Sequence, residues 1–102
     1  MDDAELERFM PELDIPLDRG IRRYVLKLRM AGIETFESCE GGEGHAFPEP
    51  TIRFYGNSGA GFKAISAGVD FGLPISSLRR VWDMIDGEVS GPWWEMTFRT
   101  TD

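Results

Sequence analysis

The chain has 102 residues and a mass of 11.5 kDa, with 41% hydrophobic and 28% charged residues, which is one soluble-type domain and not a mainly disordered polypeptide. A net charge of −7 and a pI near 4.6 exclude a broad phosphate footprint on duplex DNA or RNA, and no apolar run is long enough to cross a bilayer. The single cysteine, Cys39, permits no internal disulfide and suits a reducing compartment.

The first segment is acidic: Asp2, Asp3, Glu5, Glu7, Glu12, Asp14 and Asp18 stand against Arg8 alone. An acidic start is unlike the basic n-region of a secretion signal, so the expectation is a cytoplasmic single domain over 1–102 with an acidic segment at 1–16. Phe9, Met10, Leu13 and Ile15 suit a short turn laid on the core, and Pro11 and Pro16 prevent one long helix. Sign then reverses at Arg19, Arg22, Arg23, Lys27 and Arg29. Two readings stand: a solvated tail beside a helix with a basic outer face, or a tail folded back onto that helix.

Ile21, Tyr24, Val25 and Leu28 share one helical face, predicting a helix over 18–31 with Asp18 as N-cap and Gly32 as the left-handed residue that ends it. Residues 33–39 alternate and read as a strand, followed by the breakers Gly41, Gly42 and Gly44. Pro48 and Pro50 lead into a strand at 51–55, with Ile52 and Phe54 on one face and Thr51, Arg53 and Tyr55 on the other. Asn57 or Ser58 caps a second helix whose buried stripe is predicted to be Phe62, Ile65 and Val69, stopped by Gly72 and Pro74. The last third reads as a hairpin of 78–85 with 93–99, and either Asp86-Gly87 or Ser90-Gly91-Pro92 can form its tip. Trp94, Met96 and Phe98 share one face of the last strand, and Trp93, Glu95, Thr97 and Arg99 the other. The pattern predicts an α+β domain in two layers. A four-stranded, mostly antiparallel sheet carries two helices on one face, in the order αββαββ.

The stretch from Gly32 through Glu37-Ser38-Cys39-Glu40-Gly41-Gly42-Glu43-Gly44-His45 to Pro48-Glu49-Pro50-Thr51 and Arg53-Phe54 resembles small accessory proteins of tailed bacteriophages and prophages. The likeness continues at Asp70-Phe71-Gly72-Leu73-Pro74 and Gly91-Pro92-Trp93-Trp94-Glu95-Met96. It implies a phage-borne, non-virion protein of the host cytoplasm, and brings with it neither a reaction nor site residues.

Three functional readings follow from the residues themselves. In the first, a non-enzymatic counter-defence protein forms a homo-oligomer and sequesters a small anionic, nucleotide-like ligand such as a second messenger. Backbone N–H groups of Gly41, Gly42, Gly44, Gly59 and Gly61, with Arg53 and Arg79 or Arg99, would hold phosphate, Trp82 or Trp93 would stack on a base, and His45, Tyr55 and Ser58 complete the expected ligand site. The aromatic face suits an oligomer seam somewhat better than a ligand, and the second glycine run suits a plain strand-to-helix turn better than an anion site. In the second reading the glutamates mimic nucleic acid and occupy the nucleic-acid-binding groove of a host protein. In the third, Cys39 as thiolate and His45 as base form a small enzyme, against a bland alternative of a strand cysteine and a loop histidine. No cofactor and no metal is expected, because one cysteine and one histidine are too few for a closed zinc site.

Overall fold

The computed structural model describes residues 21–99. Within them the order is α1 (Arg22–Met30), β1 (Thr35–Cys39), β2 (Thr51–Phe54), α2 (Ser58–Asp70), β3 (Ile75–Ile85) and β4 (Glu88–Phe98). The strands form one sheet in the order β1-β2-β4-β3 with every neighbouring pair antiparallel, which is the expected α+β arrangement. The predicted start of the first helix at 18, its Asp18 cap, the turn through Phe9 to Ile15 and the course of the acidic segment lie outside the described residues.

Ile21 at the start of α1 and Val25 and Leu28 within it are buried and Tyr24 lies against Phe98, as the spacing predicts, and Leu26 is buried beside them. Gly32 has φ +87 and ends it in the left-handed region that favours glycine. The basic outer face is only partly present. Lys27 is buried with its ammonium 5.7 Å from the Phe71 ring centre, and Arg29 donates to the Thr35 hydroxyl and carbonyl, each at 2.7 Å. These two cations anchor the helix instead of facing water.

The sheet sends Ile52, Phe54, Met96 and Phe98 into the core, with Leu78, Ile75 and Trp94 packed at its margin. Helix α2 is capped by Asn57, whose side chain accepts from the Ala60 N–H at 3.2 Å. Its buried stripe is not the expected one. Gly61, Ala64 and Gly68 face the sheet, Ile65 is half-buried, and Phe62 and Val69 are 77% and 67% exposed. The cause is close approach, since a Cβ on Gly61 would lie 2.6 Å from the Trp94 ring and one on Gly68 2.4 Å from Ile75 Cδ1. Only glycine lets the helix backbone rest that near the sheet, and the larger apolar residues are turned outward.

The hairpin tip is Asp86-Gly87, with φ of 52° and 81°, the sign pattern of a type I′ turn. Ser90-Gly91-Pro92 lies within β4. There Gly91 and Pro92 stand opposite the single residue Trp82, between the pairs Val81–Trp93 and Asp83–Ser90, so they form a bulge. Among the described residues no helix is long and apolar enough to cross a membrane.

Candidate functional site

Helices cover one face of the sheet, and the other face carries three rows of side chains running across the strands. Antiparallel register creates them, because residues directly opposite one another project to the same side. The first row is polar and small: Cys39, Thr51, Thr97 and Ser77 are paired in sequence across all four strands, and the Ser77 and Thr97 hydroxyls are hydrogen-bonded. The second is charged and alternates in sign: Glu37, Arg53, Glu95, Arg79. The third is aromatic, with Phe36 stacked on Tyr55 at 4.3 Å and Trp93 edge-on to both. A bulge in β1 between Thr35 and Glu37 inserts Phe36 into this row while Glu37 still pairs with Arg53.

Arg53 is the centre of the charged row. Its Nε and Nη2 donate to Glu95 Oε2 at 3.0 and 2.8 Å, its Nη1 donates to Asp83 Oδ2 at 3.0 Å, and Glu37 Oε1 lies 3.5 Å away. Burial disfavours its charge, but the Glu95 hydrogen bond and the carboxylates of Asp83, Glu95 and Glu37 outweigh that, and its pKa lies above the ordinary arginine value. Asp83 also accepts from Trp93 Nε1 at 2.9 Å, tying the charged row to the aromatic one. The buried Glu95 accepts from Arg79 through its other oxygen.

The loop 40–50 folds over this face. Phe47 places its ring 5.2 Å from the Arg53 guanidinium, a cation–π contact that caps the centre of the row. Beside it a cavity of about 240 Å³ lies between Phe47, Pro48 and Glu49 of the loop and Ser76, Ser77, Arg79 and Thr97 of the sheet, with Thr51 and Glu95 completing its wall. Arg79, whose side chain is 66% exposed, is the guanidinium in this wall with surface to spare.

The structure brings together only part of the expected site. Arg53, Tyr55, Arg79 and Trp93 do share the open face. Arg53 is not available as a phosphate holder, however, because each of its three nitrogens already donates to a carboxylate. The two glycine stretches do not converge. They lie at opposite ends of β2, a four-residue strand of roughly 13 Å. Nor is the first an open nest: the Gly41 N–H donates to Cys39 Sγ and the Gly42 N–H to the Pro48 carbonyl, so both close the loop on itself. Gly44, with φ +84, sits in the turn before His45.

At the second stretch, Ser58, Gly59 and Gly61 open α2 on the helix-covered side. The Gly61 N–H is bonded to the Asn57 carbonyl, and that carbonyl also accepts from Trp94 Nε1 at 3.0 Å. Strand alternation puts Arg80 and Trp82 on that side too, against the expected placement. Arg80 lies 4.5 Å over the Trp94 ring and donates to the Gly56 carbonyl, and Trp82 stands exposed beyond it. Arg99 follows β4, six residues from Trp93 and therefore roughly 20 Å along the strand.

Cys39 is buried and accepts from the Gly41 N–H, while His45 Nε2 lies 3.6 Å from Glu40 Oε1. These contacts fit a strand cysteine and a loop histidine. Among the described residues no group of three or more His, Cys, Asp or Glu is arranged to hold a metal ion.

The site residues that sequence reasoning passed over are Glu95, Asp83, Glu37, Phe36, Phe47, Ser77 and Thr97. A glutamate sandwiched between Trp94 and Met96 in a strand with a core face was the available signal. No protein-family model matches the chain, and comparison with curated proteins and with solved structures gives no match.

Proposed function

We propose that the protein is a non-enzymatic, phage-type accessory protein of the host cytoplasm that captures a small anionic ligand in the cleft between the 40–50 loop and β3. The observation that supports this reading is the 240 Å³ cavity with an exposed Arg79 on one wall and the Phe47 ring on the other. Arg79 gives one bond to Glu95 and keeps further donors for an anionic group. Glu95 does not repel that group, because Arg53 and Arg79 both offset its charge. Hydroxyls at Ser76 and Ser77 and the Glu49 carboxylate add acceptors for amino or hydroxyl hydrogens, so a ligand with an acidic end and a donor-bearing ring, of nucleotide type, suits the lining.

The alternative in which acidic side chains occupy a host protein's groove is less well supported on this face, since Glu37, Asp83 and Glu95 are already engaged by Arg53. The test combines native mass spectrometry of protein purified from bacterial cells with calorimetry against ribonucleoside 5′-monophosphates. A retained small anion and a loss of roughly tenfold or more in affinity for Arg79→Gln are expected. No retained mass together with equal affinity for wild type and variant would sink the proposal.

A further inference from the structure

We infer that the projecting end of the β3–β4 hairpin is a self-association arm that docks on α2 of a second copy of this chain, a surface separate from the cleft. β2 pairs with β4 only from Trp94 to Thr97, so from Trp93 to the Asp86-Gly87 turn β3 and β4 pair with each other alone among the described residues. This end extends roughly 16 Å past the four-stranded sheet, and a two-stranded ribbon without a covering layer is marginal in water. On its helix-side face stand Trp82, Met84 and Val89, with Met84 directly opposite Val89, and they are 57%, 67% and 67% exposed.

The same chain exposes two large apolar side chains, Phe62 and Val69, on a second stripe. Phe62, Ser66 and Val69 lie at i, i+4 and i+7 on the outside of α2, because the glycines hold that helix to the sheet by its other face. Arm and stripe lie on the same side of the sheet, and within one chain the paired strands carry the arm away from α2 beyond its base. The base of the arm is fixed at the start of α2, where Arg80 donates to the Gly56 carbonyl and Trp94 to the Asn57 carbonyl. When two chains meet about a two-fold axis with arms antiparallel, the tip of each arm reaches the start of its partner's α2. There, the arm's apolar face covers the Phe62 end of the stripe.

Charge agrees with that direction. Asp86 and Glu88 mark the tip, Arg80 and Lys63 mark the base of the arm and the first turns of α2, and the acidic Asp70 sits at the far end of the helix. Tip-to-base pairing brings opposite signs together, while parallel arms would oppose like charges. A second copy therefore covers the arm and the Phe62 end of α2 together, and each chain offers both halves of the contact.

The test is sedimentation velocity on the full chain, with Trp82→Glu and Phe62→Glu as variants. Both sites are exposed, so circular dichroism melts should stay close to wild type. The expected result is a wild-type dimer at micromolar concentration, weakened roughly tenfold or more by each substitution. A one-to-one mixture of the two variants should associate more strongly than either alone, because one arm–helix contact of the pair is then intact. A monomeric wild type, including one that sediments with lipid vesicles instead, would overturn the inference. So would a dimer indifferent to either substitution, or a mixture no stronger than its components.

Discussion

Arg53 and Glu95 stand directly opposite each other on β2 and β4, and two guanidinium nitrogens converge on the single oxygen Glu95 Oε2. Glu95 is buried, so this contact decides whether a carboxylate can sit on the central strand at all. Arg53→Met should lower stability by about 3 kcal/mol, because it leaves Glu95 with Arg79 alone and strips a partner from Asp83. The double variant Arg53→Met/Glu95→Met should recover part of that loss, as urea denaturation will show. Because the folded pKa of Arg53 is raised, its contribution is complete below arginine's ordinary range and is lost only as pH climbs above it. Stability should not vary between neutral and mildly alkaline pH through this side chain.

Gly61→Ala places a methyl group 2.6 Å from the Trp94 ring, and overpacking of that kind costs about 1–3 kcal/mol. Alanine is otherwise the better helix former, so a measured gain in stability would show that α2 can lift from the sheet without loss.

Asn57→Ala removes the side-chain oxygen that caps the Ala60 N–H and should cost about 1 kcal/mol in thermal denaturation. Asn57→Ser or Asn57→Asp should restore most of it. The carbonyl that receives Trp94 Nε1 belongs to the backbone and survives all three changes.

Cys39 should alkylate slowly in the folded protein and at the ordinary rate in denaturant, since its sulfur is buried under the 40–50 loop and bonded to the Gly41 N–H. Fast modification of folded protein by iodoacetamide at neutral pH would return the Cys39 and His45 enzyme to consideration.

Period-two alternation was enough to separate the two faces of β2 and β4, and Gly32 marked the end of α1, whereas local sequence left the hairpin tip open between Asp86-Gly87 and Ser90-Gly91-Pro92. Cross-strand register is a different kind of information. Nothing local in Glu37, Arg53, Arg79 and Glu95, spread over 59 positions of chain, says that they form one row. The stripe of α2 was misread for a related reason. Phe62 and Val69 carry hydropathy and Gly61 and Gly68 carry almost none, so a rule built on side-chain apolarity chooses the wrong face when contact is made by backbone. The loop over Arg53 was hidden too, since three glycines among residues 41–44 leave its path to long-range contact with Phe47.

A helix seated by glycine and alanine contributes little bulk to the interior. Most of the residues of α2 that differ in size and chemistry are on its outer surface, where exchange leaves the layer beneath undisturbed. As far as the fold is concerned such an element can diverge, and homologous chains that keep Gly61, Ala64 and Gly68 can carry quite different exteriors on the same frame, with association changing accordingly.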